Sequence, residues 1–257
     1  MNKLSIITVS YNSEDFIENF IKSVLKFKPV NSELIILDNN SSDKTVDVVE
    51  KYGEKLKLVE SSENLGFSKG NNKAVKESTG ECLLFLNPDT ELLEPIDELI
   101  KFYENTTNVG VVAPKLVMED GKIQESVKNL PRISNAFAEY ILRKKHSYSQ
   151  YVPDTKYPVE VESVYGAAML ISRDIFEKLE GFDEKFFLYY EDVDLCKRIR
   201  ESGKKIYYYP GVSIKHLVGA AKTEKDRYLL NLEAAQIYHG WIQAQILQLI
   251  FKLSRFT

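Results

Sequence analysis

Leu4-Ser5-Ile6-Ile7-Thr8-Val9 carries no charge and breaks at once into the polar loop Ser10-Tyr11-Asn12-Ser13. So short and apolar a run reads as a strand buried on both faces. Behind it, residues 14–28 set Phe16, Ile17, Phe20, Ile21, Val24 and Leu25 at three- and four-residue spacing, the pattern of a helix with one buried face, and Pro29 stops it. The unit then repeats. Residues 33–37 form a second run and end at Asp38-Asn39-Asn40-Ser41-Ser42-Asp43, where Ser42-Asp43 can cap a helix over 45–52. Residues 56–60, a helix over 68–76 and the run Cys82-Leu83-Leu84-Phe85-Leu86 continue the pattern. Such alternation predicts an α/β chain, a mostly parallel sheet with helices on both faces. Loops 10–13, 38–43 and 87–90 then fall at the C-terminal edge of the strands, where open α/β sheets hold ligands.

Beyond 109–113, a strand, the rhythm changes. Residues 115–124 read as a hairpin around Glu119-Asp120-Gly121. Residues 135–158 read as a helix and a long loop containing Arg143-Lys144-Lys145-His146. Regular patterning returns with a strand at 166–172, helices at 173–179 and 192–202, and a strand at 205–208. Residues 224–256 look helical throughout.

The 257 residues suit one large domain, or one domain with an extension. Hydrophobic residues at 44% beside 28% charged residues indicate a globular chain. With 34 basic against 38 acidic residues the net charge is −4, which argues against nucleic acid as the partner. Cys82 and Cys196 lack CxxC spacing, so a reducing cytoplasm is expected rather than a zinc or disulfide framework. No run makes a secretory signal or approaches the ~20 apolar residues that cross a bilayer. The expectation is a soluble cytoplasmic protein, or one peripheral on the inner face of the cell membrane.

Several residues stand between a chemical and a structural reading. Asp38 ends a buried run and could accept from a base or ribose; equally it could be a turn residue. Asn64-Leu65-Gly66-Phe67-Ser68-Lys69-Gly70-Asn71-Asn72 precedes a helix whose N-terminus could meet an anion, although such clusters are commonly plain loops. Asn87-Pro88-Asp89 suits a divalent ion ligated mostly by water and phosphate, against a simple Pro-Asp turn. Glu191-Asp192-Val193-Asp194 places three acids in one first turn, which also serves the helix dipole. The run Phe186-Phe187-Leu188-Tyr189-Tyr190 before them would grip a sugar face. His216 is read as a metal ligand through its pairing with Asp89.

Taken in order, Val9-Ser10-Tyr11-Asn12, residues 37–43, Glu63-Asn64-Leu65-Gly66-Phe67 with Gly70-Asn71-Asn72, and Leu86-Asn87-Pro88-Asp89-Thr90 resemble family 2 glycosyltransferases, most of all the rhamnosyltransferase-like branch. Residues 121–131, Gly166-Ala167-Ala168-Met169-Leu170-Ile171, Gly181-Phe182-Asp183-Glu184 and Tyr190-Glu191-Asp192-Val193-Asp194-Leu195 agree, so the resemblance runs from about residue 3 to 220. It implies a GT-A fold over residues 1–222, a Rossmann-like, mostly parallel sheet flanked by helices. Its nucleotide-sugar-binding half is 1–113, its acceptor-binding half is 114–222, and a C-terminal helical extension covers 223–257. Asp38 would contact the donor base and Thr8, Ser10 and Asn12 would cradle the nucleoside. Asn64, Gly66, Lys69, Asn71 and Asn87 are counted with the donor site. Asn87-Pro88-Asp89 takes the place of the family's DXD motif, with Asn87 for the first Asp. That leaves Asp89 as the main protein ligand for Mg²⁺ or Mn²⁺, completed by His216. Glu191-Asp192 matches the pair that supplies the catalytic base, with Asp192 as base, Glu191 second and Asp194 structural. The helix N-terminus is expected to lower the pKa of Asp192 and keep it ionised.

The implied activity is inverting, metal-dependent transfer of one sugar to a cell-surface polysaccharide or lipid-linked saccharide. The branch points to L-rhamnose from dTDP-rhamnose; a UDP-hexose donor fits Asp38 equally. The Gln-x-x-Arg-Trp motif of processive relatives is absent, Trp241 following His239-Gly240 instead. A nucleotide-sugar pyrophosphorylase would carry a Gly-rich basic loop after the first strand, and a dehydrogenase a GxGxxG; Ser10-Tyr11-Asn12-Ser13 is neither. A non-catalytic sugar-binding scaffold would not need Asp89, Glu191, Asp192 and His216. Near the end, Trp241, Ile242, Ile246, Leu249, Ile250 and Leu253 share one helical face beside Lys252 and Arg255. That face could meet a membrane interface, the core, or a second subunit in a homodimer.

Overall fold

Ile6 and Ile7 are adjacent in the first strand yet belong to different hydrophobic layers. The same split separates Leu34 from Ile35 and Leu84 from Phe85, because successive side chains of a strand point to opposite faces. Both faces must therefore be covered, which is why these runs are apolar without alternation. The computed structural model describes residues 2–217 and 224–254. In chain order β1 (Leu4–Ser10), α1 (Ile17–Phe27), β2 (Ser32–Asp38), α2 (Thr45–Glu50), β3 (Lys57–Glu60), α3 (Gly66–Lys76) and β4 (Cys82–Leu86) follow the expected alternation. Asp43 secures the start of α2 by accepting from the Thr45 amide at 3.0 Å.

The chain continues with β5 (Thr90–Leu92), α4 (Asp97–Asn105), β6 (Val109–Val117), β7 (Val127–Lys128), α5 (Ile133–Tyr140), β8 (Gln150–Tyr151), β9 (Val159–Val161) and β10 (Ser163–Val164). It ends with β11 (Ala168–Ser172), α6 (Arg173–Lys178), α7 (Glu191–Glu201), β12 (Lys205–His216), α8 (Glu224–His239) and α9 (Trp241–Leu253). The main sheet runs β3-β2-β1-β4-β11-β6-β12-β5, with β9 beside β12. Strands β1 to β4 are parallel to one another, and so are β6 and β12, while β11 runs antiparallel to both its neighbours. A small sheet, β10-β7-β8, stands apart. One layer packs α1 and α4 on the sheet; the other packs α3, α6 and α7 around Phe85, Phe176 and Phe182.

Three differences from the sequence reading matter for the site. The strand expected over 205–208 continues to His216 as one strand, with a register shift between Tyr209 and Ser213 where Pro210 and Gly211 sit. Pro lacks an amide hydrogen, and a bulge is where a strand tolerates that. The junction drawn between residues 113 and 114 falls inside β6, and that between 222 and 223 lies outside the described residues. The C-terminal helical stretch divides at Gly240, whose φ of +78° no helix accommodates. Its second helix buries Ala244, Leu247 and Ile250, the last two in a cluster with Ala136 of α5, so Ile250 leaves the exposed face; Trp241, Ile242, Ile246, Leu249 and Leu253 stay on it. Arg255 lies outside the described residues.

Candidate active site

Four loops meet at the C-terminal edge of β1, β2 and β4. In the first two, side chains bind backbone. Asn12 takes φ +47°, donates its amide to Ser41 Oγ at 2.9 Å and accepts from the Ser42 amide at 2.8 Å. Asp38 Oδ1 accepts from the hydroxyls of Ser10 (3.1 Å) and Ser41 (2.6 Å), and Oδ2 accepts from the Ser41 amide at 2.8 Å. A carboxylate offers about four acceptor positions, so one remains on Asp38. Thr8 lies deeper, fully buried, and donates its hydroxyl to the Leu86 carbonyl at 3.0 Å. Its place is between the ends of β1 and β4, below the loop.

In the third loop Asn64 Oδ1 accepts from the Gly66 amide at 3.0 Å, a local turn. Asn39 holds the same loop from the side, accepting from Leu65 N at 2.9 Å and donating to Gly66 O at 3.0 Å. Gly66 has φ +75°, and a Cβ there would stand 2.4 Å from the Phe187 carbonyl, so only glycine lets this loop meet the aromatic segment. Lys69 is exposed on α3, whereas Asn71 is buried and donates back to Phe67 O at 2.9 Å.

The fourth loop, Asn87-Pro88-Asp89, is a turn that carries a carboxylate. Asn87 O accepts from Thr90 N at 3.1 Å and from Thr90 Oγ1 at 2.7 Å, a β-turn with Pro88 in the position whose φ proline presets. Asp89 sits at its tip, and Oδ1 stands 3.4 Å from His216 Nε2. The pairing follows from strand register, because β5 runs antiparallel to β12 with Thr90 opposite His216. Gln124 Oε1 lies 2.8 Å from His216 Nδ1. With that oxygen accepting, the ring hydrogen is on Nδ1 and the Nε2 lone pair faces the carboxylate. A carboxylate oxygen and an imidazole nitrogen are ligands that Mg²⁺ or Mn²⁺ would accept, whereas a protonated ring would pair with the carboxylate directly. The residues present therefore fit a divalent ion. Among the described residues no group of three His, Cys, Asp or Glu converges to hold one alone.

Glu191 and Asp192 open α7, and the chain reaches them through Tyr189 (φ +75°) and Tyr190 (φ +67°). Two left-handed tyrosines in sequence cost on the order of 1–3 kcal/mol each. Surrounding contacts hold them there: Tyr190 packs on Tyr238 at 5.4 Å and His239 at 6.0 Å, and its hydroxyl is 3.3 Å from that of Tyr148. The end of the aromatic run thus grips α8, while Phe186 is buried and Phe187 gives its carbonyl to Phe67 N at 2.7 Å. Asp192 Oδ2 accepts from Gly166 N at 2.8 Å and Oδ1 from Val193 N at 2.7 Å. Glu191 Oε2 is buried with no hydrogen-bond partner. Burial pushes Glu191 well above the usual carboxylate range, and the neighbouring Asp192 charge adds to it. Asp192 is also raised by burial, opposed by the Gly166 and Val193 amides and the Lys128 ammonium. The expected lowering by the helix N-terminus is therefore overturned, because desolvation outweighs the dipole. Asp194 pairs with Arg198 at 2.7 Å, a structural ion pair.

One short segment joins these groups. The Tyr165 ring lies 5.9 Å from that of His216, Gly166 N holds Asp192, and Ala167 O accepts from Asn87 N at 3.0 Å. A Cβ on Gly166 would meet that of Asp192 at 3.3 Å. The phenol of Tyr165 is raised by burial and by the nearby charges of Asp192, Glu191 and Asp89. Gly166, Gln124 and Asn39 stand within the sequence motifs without a role marked for them, and no motif singles out Tyr165 or Lys128. The strong β pattern of 166–172 was the available signal, since a strand entering the sheet beside β4 must deliver its first residues to the same edge.

Residues 146–221 match the N-terminal domain of galactosyltransferase. A low-salt glycan biosynthesis hexosyltransferase of Haloferax volcanii is 28% identical over 212 residues, which are 80% of this chain and 64% of that protein. An N-acetylglucosaminyl-diphospho-decaprenol L-rhamnosyltransferase of Mycobacterium tuberculosis is 24% identical over 231 residues, 83% of this chain and 75% of that protein. The crystal structure of GalNAc-T7 with UDP, GalNAc and Mn2+ shares the fold, with a TM-score of 0.67 at 14% identity over 84% of this chain and 44% of that one. This chain thus spans less than two thirds of the archaeal relative's length. Residues 5–180, well over half of the sequence, match the profile of glycosyl transferase family 2, and the chain belongs to that family.

Proposed function

We propose that this protein moves one sugar from a nucleotide donor to a saccharide acceptor, inverting the anomeric carbon, and that the donor is dTDP-L-rhamnose. The observation that carries this reading is the convergence of the Asp89–His216 pair and the Glu191–Asp192 pair on Tyr165-Gly166-Ala167. The mycobacterial relative is named for the same sugar, and for an acceptor carried on a diphospho-lipid. In this reading the last acceptor position of Asp38 takes the one imide N–H that thymine and uracil share. Asp89 and His216 hold Mg²⁺ or Mn²⁺, and Gln124 fixes the imidazole, as outer partners of metal-bound histidines do. That ion, when bound, stabilises negative charge on the diphosphate leaving group. Asp192 takes the proton of the acceptor hydroxyl as its oxygen bonds to the anomeric carbon and the carbon–diphosphate bond breaks.

The test is release of nucleoside diphosphate from a panel of dTDP- and UDP-sugars with Mn²⁺. We expect release from dTDP-L-rhamnose above all others, stopped by chelation. Faster release from a UDP-hexose would transfer the assignment to that donor, and no release from any sugar nucleotide would end it.

The exposed face of α9 belongs to the same reading. Trp241, Ile242 and Leu249 are more than half exposed, and the basic run Arg143-Lys144-Lys145 follows α5, the helix on which α9 packs. Apolar side chains beside basic ones suit the interface of an anionic membrane, where a lipid-linked acceptor would lie. Among the described residues no helix is long and apolar enough to cross one. The protein should float with phosphatidylglycerol vesicles, less so at high salt, and lose this on Trp241→Ser with Ile242→Ser. Failure to float, with a dimer in sedimentation, would assign the face to a second subunit.

A further inference from the structure

Lys128 is the last residue of β7, held between β10 and β8, and β10 leads directly into the Tyr165–Gly166 segment that grips Asp192. Its ammonium stands 4.8 Å from the centre of the Tyr148 ring and 5.7 Å from that of Tyr190. Among the described residues it donates no hydrogen bond and forms no ion pair, although Asp192 and Glu139 are near enough to act on it through space. Neither acid reaches it for an ion pair: Asp192 is held by the amides of Gly166 and Val193, and Glu139 by those of Tyr148 (2.6 Å) and Ser149 (3.0 Å). An ammonium carries three donors, and the ring faces that attract it supply none of the acceptors it needs. His239, packed on Tyr190, is no second cation. Burial, with the charges of Lys128 and Lys197, pushes its pKa down to about 4, and its Nε2 is buried without a partner.

We propose that Lys128 and the Tyr148–Tyr190 wall bind a phosphate group carried by the acceptor, next to the base that deprotonates the acceptor hydroxyl. This rests on the reading of Asp192 as that base and deepens it, naming a phosphorylated saccharide as the acceptor class. A dianion placed here gives the ammonium acceptors that no described residue supplies, and charge-assisted hydrogen bonds of this kind are the stronger ones. It also sets the acceptor at a fixed distance from the base, which orients the attacking hydroxyl. Lys128 is on this account a specificity-determining residue.

The test is binding, so that it stands independently of turnover. Calorimetry with UDP and Mn²⁺ present, to fill the donor site, compares glucose 1-phosphate with methyl glucoside on the wild type, Lys128→Met and Lys128→Arg. Loss of one charge-assisted hydrogen bond corresponds to about a ten- to hundredfold weaker Kd. We expect that loss for glucose 1-phosphate with Lys128→Met, most of it restored by Lys128→Arg, and no change for methyl glucoside. Octyl diphosphate and ribitol 5-phosphate, as further arms, separate a lipid diphosphate from a polyol phosphate as the source; the tighter binder names it. Equal weakening of both sugars, or none of either, overturns the proposal. A drop in melting temperature for Lys128→Met is controlled by Lys128→Arg, whose failure to bind the phosphate while folded also overturns it. If UDP itself does not bind, the donor assignment fails instead, and the glucose 1-phosphate comparison is still read without it.

Discussion

Asp192→Asn will lower kcat by about 10²–10⁴-fold, the usual worth of a positioned general base, while nucleoside diphosphate affinity stays within about twofold. The substitution keeps volume and removes the ability to take a proton, at the cost of one of the two amide hydrogen bonds, because Nδ2 cannot accept from Gly166 N or Val193 N; the melting temperature will fall as well. A purely structural acid would behave differently, because its loss would reach donor binding along with rate. The pH profile adds a second, independent sign. Burial raises Asp192 above its ordinary value, so the base is protonated over more of the acid range and activity rises with pH through a limb displaced upward from where an exposed Asp would put it. Burial and the neighbouring Asp192 charge both favour the protonated form of Glu191. Glu191→Gln, which mimics the neutral acid, will therefore leave the limb where it is. Stability runs the other way. A carboxyl whose folded pKa exceeds its unfolded value contributes most below the unfolded pKa, and the contribution fades as pH rises through the folded one. The melting temperature of Glu191→Gln relative to the wild type will accordingly increase toward alkaline pH. If Glu191→Gln abolishes transfer and Asp192→Asn does not, the two roles are exchanged.

What made this site legible in the chain was the strand ends. Ser10, Asp38 and Asp89 each lie at or just past the end of an uncharged apolar run, and buried parallel strands deliver whatever comes next to one edge. His216 lies beyond the strand expected over 205–208. The bulge at Pro210–Gly211 hides a single strand that stacks His216 opposite Thr90. Lys128 was beyond reach from sequence. It lies in a two-residue strand with no periodicity to detect, and its environment comes from Tyr148 and Tyr190, distant in the chain. Nor does composition reveal how far an acid is desolvated. Three acids in a helix's first turn suggest a lowered pKa, and only burial, which outweighs the Gly166 and Val193 amides, reverses that for Asp192.

Asp89→Ala and His216→Ala should each weaken Mn²⁺ binding in the presence of UDP more than the ten- to hundredfold that loss of an outer partner such as Gln124 typically costs. Each removes one of the two side chains that face each other across 3.4 Å. The reading to be excluded is a plain ion pair that ties the β4–β5 turn to the end of β12, since Leu217 N also bonds Asp89 O at 3.0 Å. Combining the two substitutions separates the cases. Groups that share one ion are strongly non-additive, because the first loss already removes most of the site and the second finds little left. The double variant would then bind Mn²⁺ about as poorly as either single one, and turnover would fall with metal occupancy. A mere strut predicts coupling in the melting temperature, with Mn²⁺ affinity unmoved in all three variants. Gln124→Leu refines the distinction. It leaves both facing groups in place but frees the imidazole to turn or change tautomer, so it will weaken Mn²⁺ about ten- to hundredfold with little change in melting temperature. Unchanged Mn²⁺ affinity across this set would mean that Asp89 and His216 hold each other and nothing else.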